Sequence, residues 1–369
     1  MATLQIADRN VGDGHAVFIV AECGINHNGS LDMALQMIQK AADSGVDAVK
    51  FQLFRAAGMY TPDAGLYRTA SGDMVPIYAL MEDVELPLEW IPTLSARCRE
   101  LGLCFIMTVC DEWCVEAVEQ YDFDVYKIAS YEISHLPMLR EISRREMPVI
   151  MSTGAADMSD VVEAVDVLPP NTERPLGVLQ CTAKYPAELS EINLSVIDTF
   201  SRIFPNVVAG YSDHTEDPVQ APVQAVYHGA KIIEKHFTLD RELPGADHCF
   251  ALDPPDLRRM VSAIREAETT LEDGNCPELD KTMAGSTFKR LTEAEQMLRD
   301  FAYRGIFTTR KIAAGDILSR DNLAVLRPGE LQQGLHPRYF DILASGRYVA
   351  TQGLEKYRGL QWDDVLSSR

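Results

Sequence analysis

The sequence predicts a (β/α)8 barrel followed by a small β-rich domain. Eight short apolar runs, each continuous rather than alternating with polar residues, recur between residues 16 and 237. Continuous apolar runs are typical of parallel strands that are buried on both faces. Helical patterns separate these runs, and a count of eight favours a closed barrel. A doubly wound open sheet is the alternative, but no G-x-G-x-x-G follows the first strand.

The predicted elements follow one another along the chain. Strands are expected at residues 16–23, 47–53, 103–109, 124–130, 148–153, 176–182, 206–212 and 230–237. Helices are expected between and after them at 31–44, 88–101, 112–120, 135–145, 158–168, 190–203, 217–228 and 255–272. Ser30 is a good N-cap for the first helix, and Gly45 is a good stop. Between them Met33, Met37 and Ala41 share one helical face, as a core-facing helix requires.

Two further features divide the chain. Residues 54–87 are too long for an ordinary connection after the second strand, which predicts a functional loop or lid. After residue 300 the sequence changes to short β-like runs with Gly-Asp and Pro-Gly turns. We therefore expect a barrel domain at 1–285, a linker at 286–300 and a small domain at 301–369.

The bulk composition limits the classes of function. The formal net charge of −21 disfavours a nucleic-acid partner, because phosphate backbones require clustered lysine and arginine. No apolar run approaches the ~20 residues that span a bilayer. The N-terminus has no signal-peptide pattern, so we expect a cytoplasmic protein without a membrane partner. The eight cysteines include no C-x-x-C pair and are expected to be free thiols.

Polar side chains gather where the predicted strands end. The active site of a (β/α)8 barrel lies at the carboxyl ends of its strands. Stability alone gives no reason to place many polar groups there. The candidates are Glu22, Lys50, Gln52, Thr108, Lys127, Ser130, Glu132, Ser152, Tyr185, Ser212, His214 and His236.

Lys50 and Lys127 are the most informative of these residues, because each interrupts an apolar strand. A buried lysine is costly unless it is paired. One interpretation is a salt bridge to a neighbouring carboxylate such as Glu22 or Glu132. The other is the capture of a phosphate or carboxylate by charge-assisted hydrogen bonds. Three serine hydroxyls would complete such an anion site, namely Ser130, Ser152 and Ser212.

His214 and His236 end the seventh and eighth predicted strands, which are neighbours in a barrel. Imidazoles on neighbouring strands can share one divalent cation, with oxygen ligands completing its coordination. The absence of a thiolate favours Mn2+ or Mg2+ in a Lewis-acid role over structural zinc. Two ordinary core histidines are the alternative.

Many of these residues stand in motifs that resemble those of the sialic acid synthases, the N-acetylneuraminate synthase family. The matching stretches are IVAECGINHNGSLDMA, AVKFQ, YKIAS, VIMSTG, LQCTAKYP, GYSDHT, EKHFTLDRELPGADH and SRDNLAVLRPG. The resemblance implies a TIM barrel followed by a β-clip domain of the antifreeze-like (SAF) type. It also implies a domain-swapped homodimer, in which the small domain of one chain covers the barrel mouth of the other.

The resemblance also implies a role for each matched residue. The catalytic positions would be Glu22, Glu132 and Lys127. His214 and His236 would hold a divalent metal, Mn2+ or Mg2+. The substrate-binding positions would be Lys50, Gln52, Thr108, Ser130, Ser152, Tyr185, Ser212, Asp247 and Arg327, of which the last would reach across the dimer to the sugar's acyl group.

The family's reaction condenses phosphoenolpyruvate with an N-acylated amino-sugar aldehyde. It forms a nine-carbon 2-keto acid and releases phosphate by C–O cleavage. The acceptor would be N-acetylmannosamine or a diacetamido-trideoxyhexose. Departures from the family pattern at Leu53, at IMTVC (106–110) and at Ala183 leave the identity of the sugar open.

Three other functions remain open. A Schiff-base aldolase on the same fold would use Lys127 or Lys235 as its nucleophile and would resist chelators. A synthase for phosphorylated sugar aldehydes would need a further basic cluster, and we identify none in the sequence. A catalytically silent carbohydrate-binding relative is the third possibility, and the intact set of strand-end residues argues against it.

Overall fold

The computed structural model describes residues 2–69, 72–171, 174–275 and 277–367. Its strands are β1 (Thr3–Ile6), β2 (Arg9–Gly12), β3 (Phe18–Gly24), β4 (Ala48–Leu53), β5 (Leu66–Arg68), β6 (Met74–Pro76), β7 (Cys104–Val109), β8 (Val125–Ile128), β9 (Val149–Ser152), β10 (Leu176–Cys181), β11 (Val207–Asp213), β12 (Ile232–His236), β13 (Gly305–Thr308), β14 (Ile317–Ser319), β15 (Leu323–Leu326), β16 (Ser345–Ala350) and β17 (Val365–Ser367). Its helices are α1 (Leu31–Ser44), α2 (Ala56–Met59), α3 (Ile77–Asp83), α4 (Ile91–Glu100), α5 (Glu112–Val118), α6 (Leu136–Ser143), α7 (Met158–Val167), α8 (Ser195–Ile203), α9 (Gln220–Tyr227), α10 (Pro254–Glu272), α11 (Lys281–Ala284), α12 (Glu293–Ala302) and α13 (Phe340–Leu343).

Eight parallel strands form a closed barrel in the order β3, β4, β7, β8, β9, β10, β11, β12, and β12 pairs with β3 to close it. In this closing pair Ile232 lies opposite Phe18 and His236 lies opposite Glu22. Every residue of β3, β7 and β11 is buried, which explains why the strands are continuous apolar runs. The predicted barrel is confirmed, and the open-sheet alternative is wrong.

The helices predicted between the strands surround the barrel. In α1 the Ser30 side chain accepts a hydrogen bond from the Met33 backbone N–H, and Gly45 ends the helix at a φ of 84°. Helix α8 begins at Ser195, five residues later than the predicted start at 190. The reason is that Asn193 adopts a left-handed φ of 47°, which a helix cannot include.

Two apolar layers hold the barrel together. The outer layer packs the strands against the helices and includes Phe51 and Phe105. The inner layer fills the amino-terminal end of the barrel, where Leu4, Ile6 and Val11 of the β1–β2 hairpin cover the strand starts. The barrel is thus closed by apolar side chains at one end, and its polar strand ends lie at the other.

The segment predicted as a lid, residues 54–87, folds into α2, the β5–β6 hairpin and α3. Phe54, Met59, Tyr60 and Ile77 of this lid segment form a separate apolar cluster with Ile25, which follows β3. Because Ile25 lies just beyond the carboxyl end of a barrel strand, the cluster fixes the lid segment beside the mouth of the barrel.

The C-terminal residues form the small β-rich domain that the sequence predicts. Strands β13 and β15 make one sheet, and β14, β16 and β17 make another. Between them lies a core that includes Ile306, Leu318, Leu323, Phe340 and Leu354. The expected linker at 286–300 contains most of α12, a helix that packs on the barrel. None of the described helices is long and apolar enough to cross a membrane.

Arg304, the second residue after α12, fastens the small domain to the barrel. Its side chain is completely buried, and its guanidinium donates to Glu132 Oε1 at 2.9 Å. It also donates to the backbone carbonyls of Gly58 at 2.9 Å, Cys110 at 2.6 Å and Val325 at 2.8 Å. These acceptors belong to the lid segment, the barrel and the small domain, so that one side chain joins all three.

Arg327 enters the mouth of the barrel from the same chain. Its guanidinium donates to both oxygens of Glu132, at 2.8 and 3.0 Å, and its backbone N–H donates to the Met59 carbonyl at 2.8 Å. Burial lowers the pKa of Arg327, but Glu132, Tyr60 and Cys110 together outweigh this effect and the net pKa is raised. In this structure Glu132 pairs with Arg327 at the mouth of its own barrel. The arrival of this arginine from a partner chain, and the association of two chains, stay predictions.

We expect Arg304→Leu to lower the free energy of unfolding by about 3–5 kcal/mol, because breaking a buried ion pair is strongly destabilising. The loss is measured by urea titration. The matched control is Arg310→Leu in the same domain, since Arg310 is exposed and its replacement should change stability by less than about 0.5 kcal/mol. Equal losses in the two variants would contradict the anchoring role of Arg304.

Candidate active site

A cavity of about 160 Å³ opens at the carboxyl ends of the barrel strands, beside the lid segment and the small domain. Residues predicted from strand ends and motifs are brought together here. Twelve of the fourteen line the cavity, namely Glu22, Lys50, Gln52, Lys127, Ser130, Ser152, Tyr185, Ser212, His214, His236, Asp247 and Arg327.

Thr108 and Glu132 are the two predicted site residues outside the lining. Thr108 is fully buried, and its Oγ1 accepts a hydrogen bond of 3.2 Å from Lys50 Nζ. Thr108 therefore supports a lining residue instead of facing a ligand. The oxygens of Glu132 are occupied by Arg304 and Arg327. Its carboxylate thus holds two arginines in this structure, and a catalytic role for Glu132 stays a prediction.

Two lysines and two carboxylates form what we call the floor of the cavity, made of Glu22, Lys50, Lys127 and Glu234. Lys50 Nζ lies 2.5 Å from Glu22 Oε2 and 3.6 Å from Glu234 Oε1. Lys127 Nζ lies 3.8 Å from Glu234 Oε2. The predicted pairing of Lys50 with Glu22 is confirmed. The sequence had suggested Glu132 as the other lysine partner, and in the structure Glu234 has that role.

Burial and charge act in opposite directions on the floor. Burial lowers the pKa of Lys50, but Glu22 and Glu234 outweigh this effect and the net pKa is raised. Burial also lowers the pKa of Lys127, and here the attraction of Glu234 does not restore it. Burial raises the pKa of Glu22, whereas the two lysines hold the pKa of Glu234 below its usual value despite burial. The two lysines are therefore not equivalent.

The three predicted serines lie beside the lysines. Ser152 Oγ accepts a hydrogen bond of 2.6 Å from Lys127 Nζ, and Ser212 Oγ donates to Glu234 Oε1 at 3.3 Å. Ser130 lines the same cavity. Two ammonium groups and three hydroxyls can donate to a single anionic ligand, as the anion-site interpretation of the sequence requires.

His214 and His236 face each other next to this floor, with ring centroids 5.3 Å apart. Nδ1 of His214 lies 2.7 Å from the Thr182 carbonyl, so this nitrogen carries a proton. Burial lowers the pKa of His214, but Cys181 and the Thr182 carbonyl together outweigh burial and the net pKa is raised. Nδ1 of His236 is buried without a hydrogen-bond partner and lies 3.7 Å from Asp247 Oδ2. Burial lowers the pKa of His236 well below its usual range and raises the pKa of Asp247 to about 6.

The histidine pair fits a divalent cation only in part. Within the described ranges no three His, Cys, Asp or Glu side chains are arranged to hold a metal together. A buried imidazole nitrogen without a hydrogen-bond partner is nevertheless available for coordination. The donor set therefore fits a site with two histidine ligands, completed by substrate or water oxygens.

Lys235, the second lysine considered for a Schiff base, does not line the cavity. Its Nζ donates to Asp213 Oδ2 at 2.6 Å and to the carbonyl and hydroxyl of Thr215. A fully hydrogen-bonded ammonium turned away from the cavity cannot attack a carbonyl bound there. Lys127 is the remaining candidate for that mechanism.

Apolar side chains form what we call the wall of the cavity, above the floor. They come from the loop after β3, the lid segment, the loop after β12 and helix α12. The wall residues are Ile25, Met59, Ile77, Leu80, Met81, Ala246, Leu298, Phe301 and Ala302. Sequence reasoning missed the wall residues, because the long segments that carry them give no periodic signal for a binding site. Glu234 was visible as a charge in the last predicted strand but received no role.

Comparison with known proteins agrees with this arrangement. The NeuB family pattern matches residues 37–276, and the SAF domain pattern matches residues 303–366. The spore coat polysaccharide biosynthesis protein SpsE of Bacillus subtilis is 48% identical over 99% of this chain and 98% of its own length. The N,N'-diacetyllegionaminic acid synthase of Legionella pneumophila is 34% identical over 96% of each chain.

The solved structures extend the likeness to both domains. The crystal structure of Bacillus subtilis SpsE matches with a TM-score of 0.88 and 46% identity, over 99% of each chain. The matched family pattern covers more than half of the chain and includes seven of the eight barrel strands. This chain therefore belongs to the NeuB family, with its sialic and legionaminic acid synthases, and carries the SAF domain at its C-terminus.

Proposed function

We propose that this chain condenses phosphoenolpyruvate with an N-acylated amino-sugar aldehyde, forms a nonulosonic acid, and releases phosphate by C–O cleavage. The observation that carries the proposal is the cavity itself, where two buried lysines and three serines lie beside two histidines. The Legionella relative, named as an N,N'-diacetyllegionaminic acid synthase, supports it.

The lysines bind and orient the enol substrate. Lys50 and Lys127 donate hydrogen bonds to its phosphate and carboxylate, with hydroxyls from Ser152 and Ser212 as further donors. C3 of phosphoenolpyruvate then attacks the aldehyde carbon, and positive charge develops at C2. Holding the two reactants at bonding distance supplies much of the acceleration, because it replaces a bimolecular encounter.

We assign Glu22 as the base that accepts a proton from the water that attacks C2. It lines the cavity, and its Oε1 accepts a hydrogen bond of 2.5 Å from Gln52 Nε2, which fixes its orientation. Burial raises the pKa of Glu22, as suits a group that takes a proton. The water adds to C2 and gives one proton to Glu22, which passes it to the alkoxide formed from the aldehyde oxygen. The tetrahedral intermediate then breaks its C2–O bond to phosphate, and the proton of its new hydroxyl leaves with the phosphate, which forms the keto group of the product.

His214 and His236 would hold a divalent cation, Mn2+ or Mg2+. When bound, this cation would polarise the aldehyde oxygen as a Lewis acid. The chain's own contribution is to keep the imidazole of His236 neutral through burial and to fix the ring of His214 through the Thr182 carbonyl.

The first test is phosphate release from phosphoenolpyruvate with manganese and a panel of N-acetylated sugar aldehydes. We expect release with at least one sugar, and loss of release with EDTA. His214→Ala should lower the rate by at least about 100-fold, because it removes half of the proposed protein ligands. His15→Ala, at an exposed histidine, is the control and should leave the rate unchanged. A near-normal rate in His214→Ala would contradict the metal assignment.

The wall favours one class of acceptor. A hydroxyl group against apolar side chains loses its hydrogen bonds to water, whereas a methyl group there gains from burial. Leu298, Phe301 and Met81 therefore favour an acceptor whose far end is deoxygenated. A diacetamido-trideoxyhexose has such an end, and N-acetylmannosamine has a hydroxyl there. Within the described residues, Arg327 is the one arginine of the lining, and Glu132 already pairs with it.

We expect kcat/KM for a 2,4-diacetamido-2,4,6-trideoxyhexose to exceed that for N-acetylmannosamine by roughly 10- to 100-fold, the limit that an apolar pocket can impose on an added hydroxyl. The measurement is phosphate release at saturating phosphoenolpyruvate. Leu298→Asn should reduce the ratio of the two kcat/KM values, because the asparagine side chain can form a hydrogen bond with the hydroxyl of N-acetylmannosamine. A preference for N-acetylmannosamine would show that the wall does not select the acceptor.

A Schiff-base aldolase is the rival mechanism, and Lys127 would be its nucleophile. Lys127 Nζ already donates to Ser152 Oγ at 2.6 Å and to the Ile128 carbonyl at 3.1 Å, which favours a binding role. Pyruvate and sodium borohydride should therefore leave the mass of the intact protein unchanged. A covalent adduct that is absent from Lys127→Arg would favour the aldolase.

A further inference from the structure

We propose that Glu295, in helix α12 of the linker, is a positioning residue for the cavity. It fixes the two loops that follow β9 and β10, and these loops carry or support the anion-binding serines and His214. The expected effect on kinetics rests on the proposed function. The structural part of the inference rests only on the contacts of Glu295.

Glu295 reaches from α12 into the barrel. Only 1% of its surface is exposed, and its Oε1 accepts the backbone N–H of Ala155 at 2.8 Å and of Ala183 at 2.9 Å. Its other oxygen, Oε2, accepts the N–H and the hydroxyl of Thr292 at 3.1 and 2.9 Å. One oxygen therefore joins two barrel loops, and the other caps the helix that supplies it.

The loop after β9 needs such support. Ala155 has a φ of 53°, in the left-handed region that residues other than glycine rarely adopt. Its N–H is held by Glu295, and its carbonyl accepts a hydrogen bond of 2.6 Å from Arg299, one turn further along α12. Both polar groups of a strained backbone residue are thus bound by charged side chains of the same helix.

The two loops also pack against each other. A Cβ at Gly154 would lie 2.9 Å from Ser130 Oγ and 3.0 Å from Ala183 Cβ, so that the turn has no room for a side chain. The Gly154 N–H donates to Ser130 Oγ at 2.9 Å, which orients a serine of the cavity lining. A shift of Ala155 would therefore move this hydrogen bond.

The second loop leads to the histidine pair. Ala183, whose N–H donates to Glu295, directly follows Thr182, whose carbonyl binds His214 Nδ1 at 2.7 Å. Lys289, also in the linker and 2% exposed, donates to the Cys181 carbonyl at 3.1 Å. The linker thus holds the backbone on both sides of the carbonyl that orients His214.

A carboxylate is required because every one of these partners is a donor. A glutamine at 295 can keep one oxygen on Ala155 and Ala183, but it then turns an NH2 group toward the N–H of Thr292. Capping alone would make Glu295 an ordinary helix residue, as the Thr-x-x-Glu pattern in the sequence suggests. The contacts with Ala155 and Ala183 are what extend its influence to the cavity.

The test compares Glu295→Ala, which removes both loop contacts, with Glu293→Ala, which makes the same change at an exposed position of the same helix. A second control, Thr292→Val, removes the capping hydroxyl and leaves both loop contacts in place. Binding of phosphoenolpyruvate and of inorganic phosphate is measured by calorimetry without sugar, and amide hydrogen exchange is followed in peptides that cover 153–156 and 182–184. KM and kcat are measured with the preferred sugar.

We expect Glu295→Ala to weaken phosphoenolpyruvate binding by roughly 10- to 100-fold, as displacement of a site by about 1 Å does. KM for the sugar should change by less than about threefold, since the wall is not touched, and exchange should rise in the two loops only. Both controls should behave like the unmodified protein. Unchanged binding and exchange in Glu295→Ala, or a rise in exchange over the whole chain, would overturn the proposal.

Two complications leave the proposal testable. If Glu295→Ala does not fold, Arg299→Gln takes its place, since it releases the Ala155 carbonyl and spares the cap. It should weaken phosphoenolpyruvate binding in the same direction, and no effect would overturn the proposal. If the unmodified protein turns over none of the sugars, the proposed function fails. Phosphate binding and loop exchange in the variants still decide the role of Glu295.

Discussion

The balance of charge in the floor of the cavity is the constraint on which the rest of the site depends. Two lysines buried among parallel strands are tolerated only because Glu22 and Glu234 lie within 4 Å of them. Two ammonium groups and two carboxylates leave this floor without net charge when both carboxylates are ionised. The floor can therefore orient a multiply charged anion, but it gives that anion little net electrostatic attraction. This is a physical reason to propose that a divalent cation at the histidine pair accompanies phosphoenolpyruvate.

The same principle explains how the mouth of the barrel is covered. Glu132 follows β8 in a position where the sequence suggests a catalytic carboxylate, yet it lies completely buried between Arg304 and Arg327. This carboxylate accepts hydrogen bonds from two guanidinium groups, so that each buried charge has a partner. The role of Glu132 in this structure is to fix the small domain over the cavity. The small domain places Arg327 in the lining of the cavity, where Glu132 already balances part of its positive charge. The guanidinium can still donate a hydrogen bond to a neutral acyl oxygen.

The sequence was sufficient for the barrel and for most of the floor. The strands were recognisable because both faces of each are buried, and the site was recognisable because stability alone gives no reason to gather so many polar residues at strand ends. Sequence could not show which of the strand-end carboxylates faces the cavity. Glu234 and Glu132 differ in their partners, and Arg304 lies 172 positions from Glu132. The wall could not be predicted for the same reason, since its residues come from the lid segment and from α12, whose packing depends on contacts distant in sequence.

Helix α12 shows how one short element can link the floor, the wall and the covering domain. Residues 295, 298 and 302 are spaced three and four apart and therefore lie on one face of the helix. Glu295 holds the loops behind the floor, while Leu298 and Ala302 belong to the wall. Two residues after the helix, Arg304 anchors the small domain to Glu132. A rotation or shift of α12 would thus disturb anion binding, acceptor binding and domain docking together. A segment that looks like a linker in the sequence is, by its contacts, part of the structure that shapes the site.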